Sequence, residues 1–222
     1  MDRVAEGIWR WSARHPEWHP RTSFGAEVAS YAIHDGTGTM LIDPLARDDR
    51  GFVDRLDAVV TGRVRIIITI PYHVRSAEQL WARYRAGHGA TILGHAAVAK
   101  RLTDVSGFEA IEAGSPLDGG ILPMPIGNPR RYETPLFVPE HRAVIFGDAI
   151  VESEGALRVW VQRPITSGRL DWYARRLRPT LQRLLDMDLD RVLVTHGEPV
   201  LADGGRALAA ALDAGPWYHR PN

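Results

Sequence analysis

A chain of 222 residues with 45% hydrophobic content can bury a sizeable core and reads as one domain spanning 1–222. It has no cysteine, which excludes disulfides, iron–sulfur clusters and thiolate zinc sites and fits a reducing compartment. Net charge is zero with both signs interspersed, so no electrostatic footprint for nucleic acid or an anionic membrane is present, and no apolar run approaches the roughly 20 residues that span a bilayer.

Met1 to Arg10 lacks the basic start and apolar core of a signal peptide, so a cytoplasmic location is expected. Gly7 to Trp11 and Glu27 to His34 have β-rich composition. Asp35-Gly-Thr-Gly38 is a turn signal, and Thr39 to Ile42 completes a hairpin ending at Asp43-Pro44. Between them, His15-Pro-Glu-Trp-His19 is a loop: an exposed turn anchored by Trp18, or a cover over a site. Asp43, at its strand end, either satisfies turn amides or orients a site residue.

Phe52 to Val60 has an amphipathic helical pattern. The apolar, β-branched run from Ile66 to Ile70 reads as a strand buried on both faces, and helical periodicity takes over from Ser76. The loop between them carries Tyr72, His73 and Arg75, at the carboxyl end of a buried strand where open α/β sheets place their sites. Ser76-Ala-Glu-Gln79 fits a capping box.

Thr91 to Leu93 reads as the next strand, with a short helix from Ala96 to Leu102 and a structural His95 at the corner between them. Lys100 is the only lysine, an arginine preference that reflects genome composition. Ile121 to Pro125, Leu136 to Val138 and Ala143 to Phe146 are further strands. Ile150 to Gly168 has no clear periodicity, a helix runs from Asp171 to about Leu185, Arg191 to Val194 is a strand, and Ala207 to Leu212 is a closing helix.

Three strand ends thus carry His73, Asp148 and His196, and the order and separation of their contexts resembles the metallo-β-lactamase superfamily, which includes glyoxalase II-like hydrolases. The resemblance covers nearly the whole chain. It rests on the hairpin ending Leu41-Ile-Asp-Pro44, the strand–loop–helix around His73, the turn Pro139-Glu-His-Arg142 leading to Phe146-Gly-Asp148, and the strand ending Val194-Thr-His-Gly197. It implies an αββα sandwich, two mixed β-sheets flanked by helices, with a metal site along one edge.

The family's main motif, His-x-His-x-Asp-His, aligns with Pro71-Tyr-His73-Val-Arg75-Ser76, so only the second histidine is kept. Arg75 stands at the aspartate position, and Asn128 at the next histidine, in Gly127-Asn-Pro129. Asp148 matches the bridging aspartate and His196 the last histidine.

A guanidinium stays protonated and has no lone pair to offer a metal, so a standard dinuclear zinc site is not expected. Arg75 would instead bring a fixed charge into that space, with Asp148 as counter-ion. His73, Asp148 and His196 remain as a set for one zinc or iron ion, and the expected cofactor is that ion or none.

Two readings stay open. One is a hydrolase in which His73, Arg75, Asp148 and His196 do the chemistry and Tyr72, Asn128 and Trp18 bind a small anionic or carbonyl-bearing substrate. The other is a metal-free pseudoenzyme whose pocket binds a small acid or a protein partner. Arg130 and Arg131 either favour an anion near the cleft or are surface residues. Oligomeric state is open, with Trp217-Tyr218 an anchor for the domain body or for a neighbouring subunit.

Overall fold

The computed structural model describes residues 1–20, 22, 25–47, 49–127 and 130–218. The first half supplies β1 (Asp2–Ala5), β2 (Ile8–Arg14), β3 (Glu27–His34), β4 (Gly38–Ile42), β5 (Arg63–Ile68), β6 (Thr91–Gly94) and β7 (Phe108–Ala110), paired in that order in one seven-stranded sheet. Pairing is antiparallel from β1 to β4 and parallel from β4 to β7. The parallel part needs crossovers. α1 (Arg50–Asp57) makes the first and α2 (Ala77–His88) the second.

Local chemistry sets these helices. Asp49 caps α1 by accepting from the Phe52 amide, and Phe52 and Leu56 bury the inner face. The expected capping box at α2 does not form. Ser76 has φ −96° and ψ 18° rather than the extended backbone of an N-cap, and its hydroxyl accepts from the Ala46 amide at 3.0 Å. Gly89 ends α2 with the left-handed φ of 56° that favours glycine.

The second half supplies β8 (Leu122–Pro123), β9 (Leu136–Val138), β10 (Ala143–Phe146), β11 (Ile150–Ser153), β12 (Ala156–Trp160), β13 (Arg191–Val194) and β14 (Pro216–Trp217). Where one second sheet was expected there are two pieces, ordered β13-β10-β9-β8 and β11-β12-β14. The break falls at Gly147–Ala149, whose amides bind a buried side chain instead of a neighbouring strand. Trp217 pairs with Trp160, so the C-terminal tryptophan belongs to the domain body.

The stretch after Ile150 also differs from the reading above: β11 and β12 form a hairpin whose turn residues, Glu154 and Gly155, both have positive φ, at 56° and 79°. Such a turn favours Asn-Gly or Asp-Gly, and Glu-Gly disguises it. The following helix begins at Ser167, capped by Thr166, and α3 (Ser167–Trp172) passes through a π-helical turn over Tyr173–Leu177 into α4 (Arg178–Gln182). α5 (Gly204–Ala214) closes the fold.

Three apolar clusters define the layers. Trp11, Leu41, Ile66 and Ile92 on the outer face of the first sheet pack on Phe52, Leu56, Leu80 and Trp81 of α1 and α2. On its inner face, Ile33, Met40, Ile42 and Ile67 meet Leu136, Val138, Ile145 and Leu193. The outer face of the second layer, with Val144, Phe146 and Val192, packs on Leu177, Leu181 and Leu208. The order is therefore helix, sheet, sheet, helix: the αββα sandwich expected from the sequence. Among the described residues, no helix is long and apolar enough to cross a membrane.

Ile145 is fully buried where the two sheets meet. Ile145→Ala is expected to lower unfolding free energy by roughly 2–5 kcal/mol in a urea melt. A loss below about 1 kcal/mol would mean that the sheets are not close-packed there.

Candidate functional site

Parallel pairing brings the carboxyl ends of β4 and β5 together in one layer and those of β10 and β13 together in the other. The residues that follow these four strands meet at one edge. Asp43 follows β4 and is fully buried. Its carboxylate accepts from the Thr69 amide at 2.8 Å, the Thr69 hydroxyl at 2.5 Å and His73 Nδ1 at 2.9 Å. It therefore does both jobs that the sequence left open: it satisfies a strand-end amide and orients a histidine.

With Nδ1 turned to Asp43, the other ring nitrogen of His73 faces Asp148. Nε2 lies 3.3 Å from Asp148 Oδ1, and Nε2 of His196 lies 3.4 Å from the same oxygen. Arg131 donates to the second oxygen, Oδ2, at 2.8 Å. Burial alone would push the Asp148 carboxyl up, but His73, His196 and their hydrogen bonds hold it well below the usual carboxylate range.

The two imidazoles are driven apart. Burial and the Arg75 guanidinium push His73 down, but Asp43 and Asp148 outweigh them and hold it above its ordinary value. Burial dominates at His196, and its pKa is lowered.

Arg75 does not make the expected ion pair with Asp148. Its Nη1 donates to the Asp43 carbonyl at 2.8 Å and the Ala29 carbonyl at 3.2 Å, while Arg131 takes the place beside Asp148. The left-handed backbone at Arg75, φ 44°, accompanies this turn towards the ends of β3 and β4. Nε and Nη2 of Arg75 are buried and without a hydrogen-bond partner among the described residues. Such donors are costly to leave unmet, and Arg75 is among the residues that line a cavity.

That cavity has a volume of about 340 Å³. His73, Arg75, Asp148 and His196 line it together with Tyr72, and so do His15, Glu17, Arg101, Arg131 and Trp160. Trp18 does not. The Arg14 guanidinium lies 4.8 Å from its ring, and the loop presents His15 and Glu17 to the cavity instead. Asn128 lies outside the described residues.

Two buried residues support the site in a way the sequence did not indicate: Glu133, and Arg130, which is neither a surface residue nor part of the cavity lining. Glu133 is buried and its Oε1 accepts from the consecutive amides of Gly147, Asp148 and Ala149 at 3.1, 3.0 and 2.9 Å. Arg130 donates to its other oxygen at 2.5 Å and to the Trp160 carbonyl at 2.8 Å. This pair holds the loop that presents Asp148. Gly147 is needed in the same loop, since a Cβ there would lie 2.6 Å from the Thr69 hydroxyl. The only sequence signal is an acid three residues after an arginine.

Each of His73, Asp148 and His196 offers one donor atom, and these atoms lie within 4.8 Å of one another. Two imidazoles and a carboxylate suit a single zinc or ferrous ion, and a carboxylate on the far nitrogen of one histidine is the usual way to orient such a ligand. The donor set fits one ion.

Glu133→Ala strands Arg130 and three buried amides, so it is expected to cost roughly 3–5 kcal/mol of stability by denaturant unfolding. An unchanged midpoint would show that the loop is held some other way.

No protein-family model matches the chain, and no curated protein matches it. Solved structures do. An archaeal metallo-β-lactamase superfamily protein from Sulfolobus tokodaii shares 16% identity over 94% of this chain and 85% of its own, with a TM-score of 0.61. The DIM-1 metallo-β-lactamase shares 12% over 96% and 95%, with a TM-score of 0.64. A flavodiiron protein from Giardia intestinalis shares 14% over 95% of this chain and 57% of its own, with a TM-score of 0.61. At these identities the common property is architecture, in agreement with the motif order read from the sequence: this chain has the metallo-β-lactamase fold.

Proposed function

We propose that this protein is a divergent hydrolase that takes a small anionic, carbonyl-bearing molecule into the cavity and works with one divalent ion at most. The observation that carries the reading is the buried guanidinium of Arg75, with two unmet donors, beside the converging His73, Asp148 and His196. Arg75 occupies the ground where a second ion's ligand would stand, and it has no lone pair to give. Three arginines and two carboxylates line the cavity, an excess of positive charge that favours an anion.

Each residue then has a task. Arg75 binds the substrate carboxylate or the oxygen on which charge develops, the role such a fixed donor serves best. Asp43 fixes the His73 tautomer and ring. Arg131 neutralises one side of Asp148 and leaves Oδ1 to the two histidines. Tyr72 and Trp160 supply apolar wall. A zinc or ferrous ion held by His73, Asp148 and His196 would supply Lewis-acid activation of water.

A second reading is favoured by a separate observation: Asp148 already accepts from Arg131 and lies against both imidazoles, so the cluster is electrostatically complete without a metal. In that case the protein is a binder of small acids.

Assays of small carboxylate-bearing esters and thioesters, with zinc, ferrous iron or chelator added, separate the two. Turnover is expected in at least one condition, falling roughly 100-fold or more in His196→Ala. Arg75→Lys is expected to raise KM for the charged substrates about tenfold, with little effect on neutral esters of the same size. Wild-type protein that binds the acids yet turns none over in any condition would overturn the hydrolase and leave the binder.

A further inference from the structure

A second concavity, of about 390 Å³, opens beside the first. Pro71, Tyr72, Arg101 and Arg131 line both, whereas Arg75 lines only the inner one and Lys100 only the outer. The outer space is walled by His95 and Tyr132, whose rings stack at 4.8 Å with an interplanar angle of 21°. Its charged lining is Lys100, Arg101 and Arg131, with no carboxylate.

Several features of this annexe favour an anionic ligand. The Arg101 and Arg131 guanidiniums lie 4.5 and 4.7 Å from the same Tyr72 ring, so two like charges converge on one aromatic. Arg131 is neutralised by Asp148, but Lys100 and Arg101 have no ion-pair partner among the described residues. Tyr72 and Tyr132 are 51% and 49% exposed, the former in both linings. Arg131 and Tyr132 are consecutive non-glycine residues with φ of 51° and 58°, a strained backbone of the kind kept where a surface has a task.

Resting on the reading that Arg75 binds an anion in the inner cavity, we propose that the two concavities form one elongated site for a small molecule that is anionic at both ends. One end meets Arg75 in the inner space. The other meets Lys100 and Arg101, and the middle crosses Tyr72. Arg75 and Lys100 border different spaces, so an anion that answers both has to extend from one into the other. The lone lysine of the chain thus belongs to a binding surface, which its rarity alone did not indicate.

Linear α,ω-dicarboxylates of increasing length, and monocarboxylates of the same lengths, serve as probes in calorimetric titrations. At one intermediate length the dicarboxylate is expected to bind roughly tenfold or more tightly than its monocarboxylate, since the second contact is intramolecular once the first is made. The Lys100→Ala variant, at a residue that lines only the outer space, is expected to cut that advantage at least threefold and to leave monocarboxylate affinity within about threefold. Lys100 is exposed, so the fold tolerates its removal.

Equal affinity at every length, or an advantage undiminished in Lys100→Ala, would overturn the two-ended site. Monocarboxylates that bind through Arg75 without any dicarboxylate advantage would overturn it alone. Monocarboxylates that fail to bind, or that bind Arg75→Ala as well as wild type, would overturn the inner-anion reading and this proposal with it.

Discussion

Asp148 keeps a charge in a buried place because both of its oxygens are met: Oδ1 faces the Nε2 atoms of His73 and His196, and Oδ2 takes the Arg131 guanidinium. Removing a carboxylate from water costs several kcal/mol unless partners of this kind replace the solvent. The surrounding structure serves that end. Asp43 turns His73 towards it, and Glu133 with Arg130 holds the three amides of its loop. Four strand ends from two sheets meet around one carboxylate.

The backbone around this centre is held away from its comfortable angles. Asp43, Arg75 and Arg131 all have positive φ, at 45°, 44° and 51°, each costing of order 1 kcal/mol for a residue with a side chain. Close-packed layers on both sides offset such costs. In the same turn the Arg75 guanidinium donates to two carbonyls, and two of its nitrogens keep no partner among the described residues. A cation therefore stands beside the donor set, and one anionic ligand can answer both Arg75 and the excess charge of the outer wall.

The layers were legible because each depends on a local pattern. The β-branched run of β5 and the short apolar strands at Ala143 and Arg191 mark buried parallel strands, and their ends carry His73, Asp148 and His196 without further information. The supports were not legible. Glu133 and Arg131 come from an irregular stretch with no periodicity, and their roles depend on a loop more than ten residues downstream. Pairing Arg75 with Asp148 by charge alone ignored two competitors, the carbonyls of Ala29 and Asp43 for the guanidinium and Arg131 for the carboxylate. The β11–β12 hairpin escaped because its turn is Glu-Gly, and the Ser76 cap because its hydroxyl is drawn to Ala46.

Metal stoichiometry is the decisive measurement for this centre. Untagged protein would be soaked in excess zinc, dialysed and assayed for metal per chain, beside His73→Ala, His196→Ala and Arg75→Ala. No more than one tightly held ion is expected in the wild type, none in either histidine variant, and no second ion on removing Arg75, since the neighbouring ligand positions are proline and serine. Two ions per wild-type chain would contradict this, because Arg75 would then not occupy the second position.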